Sequence, residues 1–228
     1  MRFVQLQKIS LILCLLLPAA ASAQLKTEPA STNAGSSYRP YSAPMRAAGA
    51  DEVIAKAFQD MFGARSYRVH GEISGIKGGN FEVDQEFVAP DRVRSVIRTS
   101  DEGVPVRAEV VIIGRDGYIN VGGGWKRQTI DNQLFNFLAM RTEIDELIRE
   151  GAGLFEIAGQ DTVNGKPVIV YQIASRTVTF RASIGKLDNL LYKIQFDTPP
   201  NAAKGTRGER IAFTLSDYNA DITIEPPM

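Results

Sequence analysis

The sequence predicts a mainly β (α+β) fold in which a single antiparallel sheet curls into an unclosed β-barrel around about two α-helices. Three observations favour this fold. From Ser66 onward apolar and polar residues alternate in most segments, the connections between these segments are short, and only two segments have a helical period. Alternation with a period of two gives a sheet one apolar and one polar face, as in antiparallel meanders. Because two helices are few to cover so long a sheet, we expect the sheet to curl around them.

The two helices are predicted over Ala50–Phe62 and about Asn132–Glu150. In the first, Asp51 is expected to cap the N-terminus and Gly63 to end the helix. Its apolar stripe consists of Ile54, Ala57, Phe58 and Met61. The second is expected to end at Gly151, and it is more apolar than a surface helix requires.

About ten strands are predicted. In the first half of the chain, the alternating apolar positions run from Tyr67 to Ile112, with a turn at Pro90-Asp91 and another short strand following Gly124. In the second half, Asn164-Gly165 is a hairpin-turn signal. The strands predicted there are Phe155–Val163, Val168–Ala174, Thr177–Ile184, Leu190–Phe196, Ile211–Leu215 and Tyr218–Ile224.

Composition divides the chain into three parts. Residues 1–23 have the charged start, apolar run and small-residue end of a secretory signal peptide, so export to the periplasm or beyond is expected, with cleavage near Ala23 and a soluble product. Residues 24–49, rich in Ala, Ser, Pro and Gly, are expected to form a flexible linker, and residues 50–228 a single half-barrel domain. The only cysteine, Cys14, follows the bulky Leu13 inside the apolar run, which does not suit lipidation, so the mature chain is expected to contain no disulfide.

The glycine-rich stretch Val111–Gln128 invites a phosphate-binding interpretation, but its spacing does not fit one. No Lys-Ser/Thr pair and no helix follow the glycines, as a phosphate-binding loop would need. Arg115-Asp116-Gly117 is instead predicted to form a tight hairpin turn with Gly117 at positive φ. Gly122–Gly124 is expected to bend or bulge the next strand pair at the rim, where it could let the mouth of the barrel open.

No catalytic residue, metal ligand or cofactor is predicted. His70 has no second histidine or cysteine to share a metal, and it is interpreted as a surface residue. The carboxylates of Glu82, Asp84 and Glu86 are expected to form cross-strand ion pairs with Arg92, Arg94 and Arg98. The 26 basic and 26 acidic residues balance, so no nucleic-acid partner is expected.

Several motifs resemble those of the LolA-like and LppX/LprG-like superfamily of bacterial lipoprotein and lipid carriers. They are Phe87–Arg94 with its Pro-Asp-Arg step, Ile113–Ile119 followed by Gly124-Trp125, the late hairpin Leu187–Ile194, and Leu215–Pro226. The resemblance covers about Asp51 to Pro226. It implies an unclosed antiparallel barrel around helices, with an apolar cavity for acyl chains, in proteins that shuttle lipids or lipoproteins through the cell envelope without catalysis.

The leading hypothesis is therefore a non-catalytic, exported carrier that binds lipid or lipoprotein acyl chains, with envelope membrane proteins as possible donors or acceptors and the oligomeric state left open. An ordinary filled core remains an equal interpretation of the predicted wall, and the alternative function is a structural or interaction subunit of an envelope complex. The predicted cavity wall consists of Val69, Ile73, Phe81, Val83, Val93, Val110, Ile112, Leu134, Phe137, Leu138, Val170, Phe180, Ile194 and Phe213.

Overall fold

A computed structural model describes residues 49–75, 79–101, 104–129, 154–174, 178–200 and 208–228. The predicted signal peptide, almost all of the predicted linker and the predicted second helix lie outside these residues. The described part is mainly β, with one helix and eleven strands. No helix within it has the length and apolar character needed to span a bilayer.

Helix α1 spans Ala50–Gly63, in close agreement with the prediction. Its apolar stripe is buried as expected, and Phe58 stacks on Phe180 with ring centroids 6.5 Å apart. The predicted cap is wrong, because the N-cap is Gly49 and Asp51 lies within the first turn. There the carboxylate of Asp51 faces the positive end of the helix dipole.

The described part of the structure has eleven strands where about ten were predicted. Up to the C-terminal tail they follow the predicted order, with small differences at their ends. They are β1 (Ser66–Ser74), β2 (Phe81–Val88), β3 (Arg92–Asp101), β4 (Val104–Ile113), β5 (Asp116–Asn120), β6 (Trp125–Thr129), β7 (Glu156–Val163), β8 (Lys166–Ala174), β9 (Thr179–Gly185), β10 (Leu191–Asp197) and β11 (Arg210–Ser216).

All eleven strands form one antiparallel sheet in the order β6-β5-β4-β3-β2-β1-β11-β10-β9-β8-β7. The chain thus builds one half of the sheet outward from β1 and the other half back inward to β11, which pairs with β1. Strands β6 and β7 form the two edges, so the sheet is not closed. We define the inner face of the sheet as the one that packs on α1, and the outer face as the opposite one.

Two hairpin turns lie in the glycine-rich stretch. The first is at Gly114-Arg115, since Ile113 pairs with Asp116. The prediction for Gly117 is wrong: Gly114 has the positive φ (61°), whereas Gly117 lies within β5 opposite Ile112. Glycine at the first position of a two-residue turn is the preference of type II′ hairpins.

The triple glycine forms the second turn, because Asn120 and Trp125 are the last pair of β5 and β6. The glycines connect two strands and do not bulge either of them, which differs from the expectation. Gly122 and Gly124 have φ values of 79° and 89°, and the Asn120 side chain accepts a hydrogen bond from the Gly122 N–H at 3.0 Å. This stretch is therefore a pair of hairpin connections, with no helix after its glycines.

The C-terminal tail, residues 217–228, is not the predicted last strand. It lies across the outer face, where Ile222 and Ile224 pack against Val111 and, more peripherally, Trp125. Its backbone is held mainly by side chains: the Ser66 hydroxyl donates to Ala220 O at 2.6 Å, and Arg92 donates to Ile224 O at 2.8 Å. The alternating isoleucines resemble a strand in sequence, but here side-chain packing takes the place of a backbone ladder.

Candidate functional site

The inner face of the sheet carries two separate apolar clusters. The larger one, the helix-side cluster, joins α1 to side chains of β1–β4 and β8–β11. It contains six of the predicted wall residues, five of them buried and Val69 packed against its margin: Val69, Val93, Val110, Ile112, Phe180 and Ile194.

The second, or distal, cluster lies farther along the same face. It contains the predicted wall residues Ile73, Phe81 and Val83, together with Ile97 and Ala108. These residues pair with one another across β1–β4 and lie on the inner face. Along each strand they are at least two residues away from the residues of the helix-side cluster.

A groove of about 500 Å³ opens at the distal end of β1, β2 and β3. Ile73 and Phe81 form part of its wall, and Arg98, Arg210 and Glu82 are among the charged groups at its margin. Its volume lies within the range of 300–1,000 Å³ common for ligand pockets. The distal cluster is therefore connected to a rim where apolar and charged groups meet.

Gly71 and Phe213 lie opposite each other at the centre of the inner face. A β-carbon on Gly71 would lie 2.9 Å from two atoms of the Phe213 ring, so glycine provides the space that this ring occupies. Phe213, a predicted wall residue, is only half-buried. The inner positions Val69, Phe196 and Ile211 on neighbouring strands are also half-buried.

A polar pair interrupts this apolar face. Gln85 of β2 lies opposite Ser95 of β3, and its amide Nε2 donates to Ser95 Oγ at 3.0 Å. Ser95 is only 3% exposed, whereas Gln85 is half-buried. The pair was not among the residues predicted from sequence, although a signal was present. In the alternating sets Phe81-Val83-Gln85-Phe87 and Val93-Ser95-Ile97, each polar residue stands where an apolar one is expected.

Of the remaining predicted wall residues, the structure describes only Val170, which is not on the inner face. Val170 pairs with Ser183 and packs on the outer face with Val163, Val168 and Tyr192. Its strand β8 is apolar on both faces, so alternation could not indicate which face Val170 occupies. Leu134, Phe137 and Leu138 lie outside the described residues.

The outer face of β1–β3 carries a network of ion pairs centred on Asp84. His70 Nδ1 lies 2.8 Å from Asp84 Oδ1, and Arg98 donates to both Asp84 and Glu82. The hydrogen bond with Asp84 raises the pKa of His70, and hydrogen bonds from Arg98 and then His70 lower the pKa of Asp84. His70 is a surface residue, as predicted. Its partner Asp84 lies opposite it on β2 and could not be identified from the sequence alone.

The predicted pairing of three carboxylates with three arginines holds only for Arg98. Arg94 lies 3.9 Å from Glu109, Glu86 binds Arg68 at 3.0 Å, and Arg92 holds the C-terminal tail. The donor atoms of His70, Glu82 and Asp84 lie within 4.8 Å of one another, a spacing that could suit a metal ion. Because Arg98 forms ion pairs with both carboxylates and His70 is a further partner of Asp84, an ion-pair network accounts for the positions of these side chains.

The described part of the chain is an open antiparallel sheet with one apolar face packed on a helix. Solved structures of other proteins have the same kind of fold. The chain matches the lipoprotein LppX of Mycobacterium tuberculosis over 77% of this chain and 97% of that one, with 16% identity and a TM-score of 0.54. It matches LprF of Mycobacterium bovis over 81% of this chain and 98% of that one, with 14% identity and a TM-score of 0.56.

These likenesses establish that the chain has an LppX-like fold, as the sequence motifs indicate. A LolA superfamily protein from Nitrosomonas europaea aligns over 78% of this chain and 96% of that one at 10% identity, but the TM-score of 0.30 is too low to establish a shared fold. No protein-family model and no curated protein matches the sequence.

Proposed function

We propose that the protein is an exported, non-catalytic carrier that binds the acyl chains of a lipid or lipoprotein against the inner face of its open sheet. The observation that carries the proposal is the set of half-buried apolar side chains at inner positions of the central strands, among them Val69, Phe196, Ile211 and Phe213. These side chains retain accessible surface beside two buried clusters. An acyl chain would remove that surface from water.

The energetics favour such a ligand. Burying a methylene group contributes about 0.8 kcal/mol, so a twelve-carbon chain would gain roughly 10 kcal/mol before the entropic costs of binding. A carrier needs no catalytic group, and the shared fold with LppX and LprF is consistent with binding a lipid. The signal-peptide pattern of residues 1–23 supports a place in the periplasm or outside the cell.

The test is mass spectrometry of organic extracts from the natively purified protein, combined with uptake of a fluorescent fatty acid by the delipidated protein. Two variants locate the ligand. Phe213→Gln introduces an amide on the inner face, and Thr214→Gln introduces the same amide one residue later on the outer face. We expect Phe213→Gln to lower bound lipid severalfold and Thr214→Gln to leave it unchanged, with both variants melting cooperatively.

Repeated absence of stoichiometric lipid and of fatty-acid uptake would overturn the carrier proposal. That outcome would favour the alternative, an interaction subunit of an envelope complex with a filled core. Equal loss of lipid in the two variants would place the ligand somewhere other than the inner face.

A further inference from the structure

We infer that the Gln85–Ser95 pair binds the carbonyl group of an esterified or amide-linked acyl chain, and so selects neutral acyl derivatives over free fatty acids. This inference rests on the proposed function and names the ligand class for the same face. Its basis is the position of two paired polar side chains in the middle of a mainly apolar surface.

The pair lies where the two inner clusters meet. Val69, which lies opposite Gln85 on β1, packs on the helix-side cluster. Val110, which lies opposite Ser95 on β4, belongs to that cluster. The next inner residues along β2 and β3, Val83 and Ile97, belong to the distal cluster. With its carbonyl group at the pair, an acyl chain can extend over one of the two clusters, and the alcohol or amine part of the ligand then lies toward the other.

The pair retains hydrogen-bonding capacity after its internal bond is made. If the Gln85 amide donates to Ser95 Oγ, one amide N–H and the serine O–H remain as donors. If the amide is turned over so that serine donates to the amide oxygen, both amide N–H groups remain. In either orientation two donors are left, so a carbonyl oxygen can accept at least one hydrogen bond from the pair.

The partial exposure of Gln85 fits this role. A buried polar group without a partner costs about 1–3 kcal/mol, so polar residues on apolar faces usually have all their partners within the protein. Among the described residues the Gln85 side chain has only the bond to Ser95. It is half-buried, although Ser95, Val83 and Phe87 around it are buried. Gln85 therefore retains accessible surface on the inner face.

The surrounding charge favours a neutral ligand group. Within the described residues, no inner position of the four central strands β2, β1, β11 and β10 carries a charged side chain. The residues at these positions are Phe81, Val83, Gln85, Phe87, Tyr67, Val69, Gly71, Ile73, Ile211, Phe213, Leu215, Leu191, Ile194 and Phe196. A carboxylate brought to this face would lose its hydration and meet no cation there. An ester or amide carbonyl needs only the hydrogen bonds that the pair offers.

The experiment measures dissociation constants for three pyrene probes with one chain length: methyl 12-(1-pyrenyl)dodecanoate, the corresponding free acid, and 1-dodecylpyrene. The delipidated wild type is compared with Gln85→Leu and Ser95→Ala. Gln195→Leu removes a matched amide from the outer face, where Gln195 donates to Asp197, and is the control. Cooperative thermal melting confirms that each variant is folded.

We expect both inner variants to bind the methyl ester about 3- to 10-fold more weakly, the effect of losing one neutral hydrogen bond. Binding of 1-dodecylpyrene should change less than twofold, and Gln195→Leu should match the wild type for every probe. The wild type should bind the ester more tightly than the free acid at pH 8.

Equal weakening for the ester and 1-dodecylpyrene would mean that the pair only shapes the wall, and no weakening at all would mean that the ligand does not reach it. Either result overturns this inference and leaves the carrier proposal standing. If the wild type binds none of the three probes, the proposed function fails and the inference fails with it.

Discussion

At the scale of single residues, Gly71 shows how one missing side chain shapes the inner face. Its position opposite Phe213 allows the ring to lie over the middle of the sheet, and a β-carbon there would come within 2.9 Å of the ring. To relieve this contact the half-buried ring would have to shift as a rigid unit.

We expect Gly71→Ala to lower the free energy of unfolding by about 1–2 kcal/mol, because overpacking outweighs the small entropic gain of replacing glycine. Urea denaturation measures this. Combining the change with Phe213→Leu, which removes the clashing ring atoms, should restore part of the loss. Strict additivity of the two changes would show that the ring is not the cause.

His70 gives a second prediction at this scale, because hydrogen bonding to Asp84 raises its pKa. Glu72 and Glu82 also face the ring, and Arg98 shares Asp84. A raised pKa means that the protonated form stabilises the fold. That contribution is complete below the usual pKa of about 6.5 and disappears as pH rises through the higher pKa of the folded state.

His70→Gln should therefore destabilise the protein more at pH 6 than at pH 8.5. The difference should be only about 0.5 kcal/mol, since the pair is exposed and screened. Urea unfolding at the two pH values measures it, and Asp84→Asn, which removes the main cause, should flatten the same dependence. A His70→Gln effect of equal size at both pH values would show that the hydrogen bond with Asp84 does not favour the protonated form.

Residue roles were the least predictable part of the candidate site. Alternation placed Val69, Ile73, Phe81, Val83 and other wall residues on one face, because strand periodicity alone determines that. It also marks Gln85 and Ser95 as polar residues at apolar positions, but it could not show that they pair, because that depends on which residues of β2 and β3 lie opposite each other.

At the scale of elements, the C-terminal tail lies across the outer face and is bound to it by side chains. Ile224 is 2% exposed and packs with Val111, and the tail backbone is bound to Ser66 and Arg92. A groove of about 430 Å³ between the tail and the sheet is lined in part by Trp125, the only tryptophan in the chain.

Ile224→Ala should reduce the free energy of unfolding by about 2–4 kcal/mol, because it removes buried methyl groups and leaves a space beneath the tail. The Trp125 emission should shift to longer wavelength as the tail loosens. Thr223→Ala, at an exposed neighbouring position, is the control and should stay within about 0.5 kcal/mol of the wild type. Similar effects at positions 223 and 224 would show that the tail is not packed on the sheet.

The loop between β5 and β6 supports another prediction at this scale. Gly122 and Gly124 have positive φ, whereas Gly123 does not, and a β-carbon on any of the three would meet no atom within 4 Å. Alanine at 122 or 124 should therefore cost about 1 kcal/mol through backbone strain alone, and Gly123→Ala should be nearly neutral. Thermal denaturation of the three single variants measures this. Equal costs at the three positions would mean that positive φ is not what the loop requires.

Element predictions succeeded where a local pattern determines the outcome. The Asn164-Gly165 turn has the two positive φ values, 49° and 74°, that a type I′ hairpin requires, and α1 has the buried stripe that its period predicted. The tail was misassigned because Ile222 and Ile224 alternate as they would in a strand. Only tertiary packing shows that they bind the outer face without joining the sheet.

At the scale of the whole molecule, the sheet is long, apolar on one side and open between β6 and β7. The sequence predicted this architecture from strand count and alternation, and the likeness to LppX and LprF agrees with it. Whether the inner face is filled could not be predicted, since a core residue and a cavity-lining residue have the same hydrophobicity.

An acyl ligand bound to this face would stabilise the fold as a whole, because the unfolded chain has no such face to offer. For the delipidated protein, 1-monolauroylglycerol at 100 times its Kd should raise the free energy of unfolding by about 2.7 kcal/mol, which corresponds to a rise in Tm of roughly 5–10 °C. Differential scanning calorimetry below the micellar concentration measures the shift, with glycerol as the control for the headgroup. Phe213→Gln should reduce the shift and Thr214→Gln should preserve it, because only the first side chain lies on the inner face. A Tm that does not respond to the ligand in the wild type would mean that the inner face is already filled by the protein itself, and the sheet would then serve as a scaffold with its functional surface on the outer side.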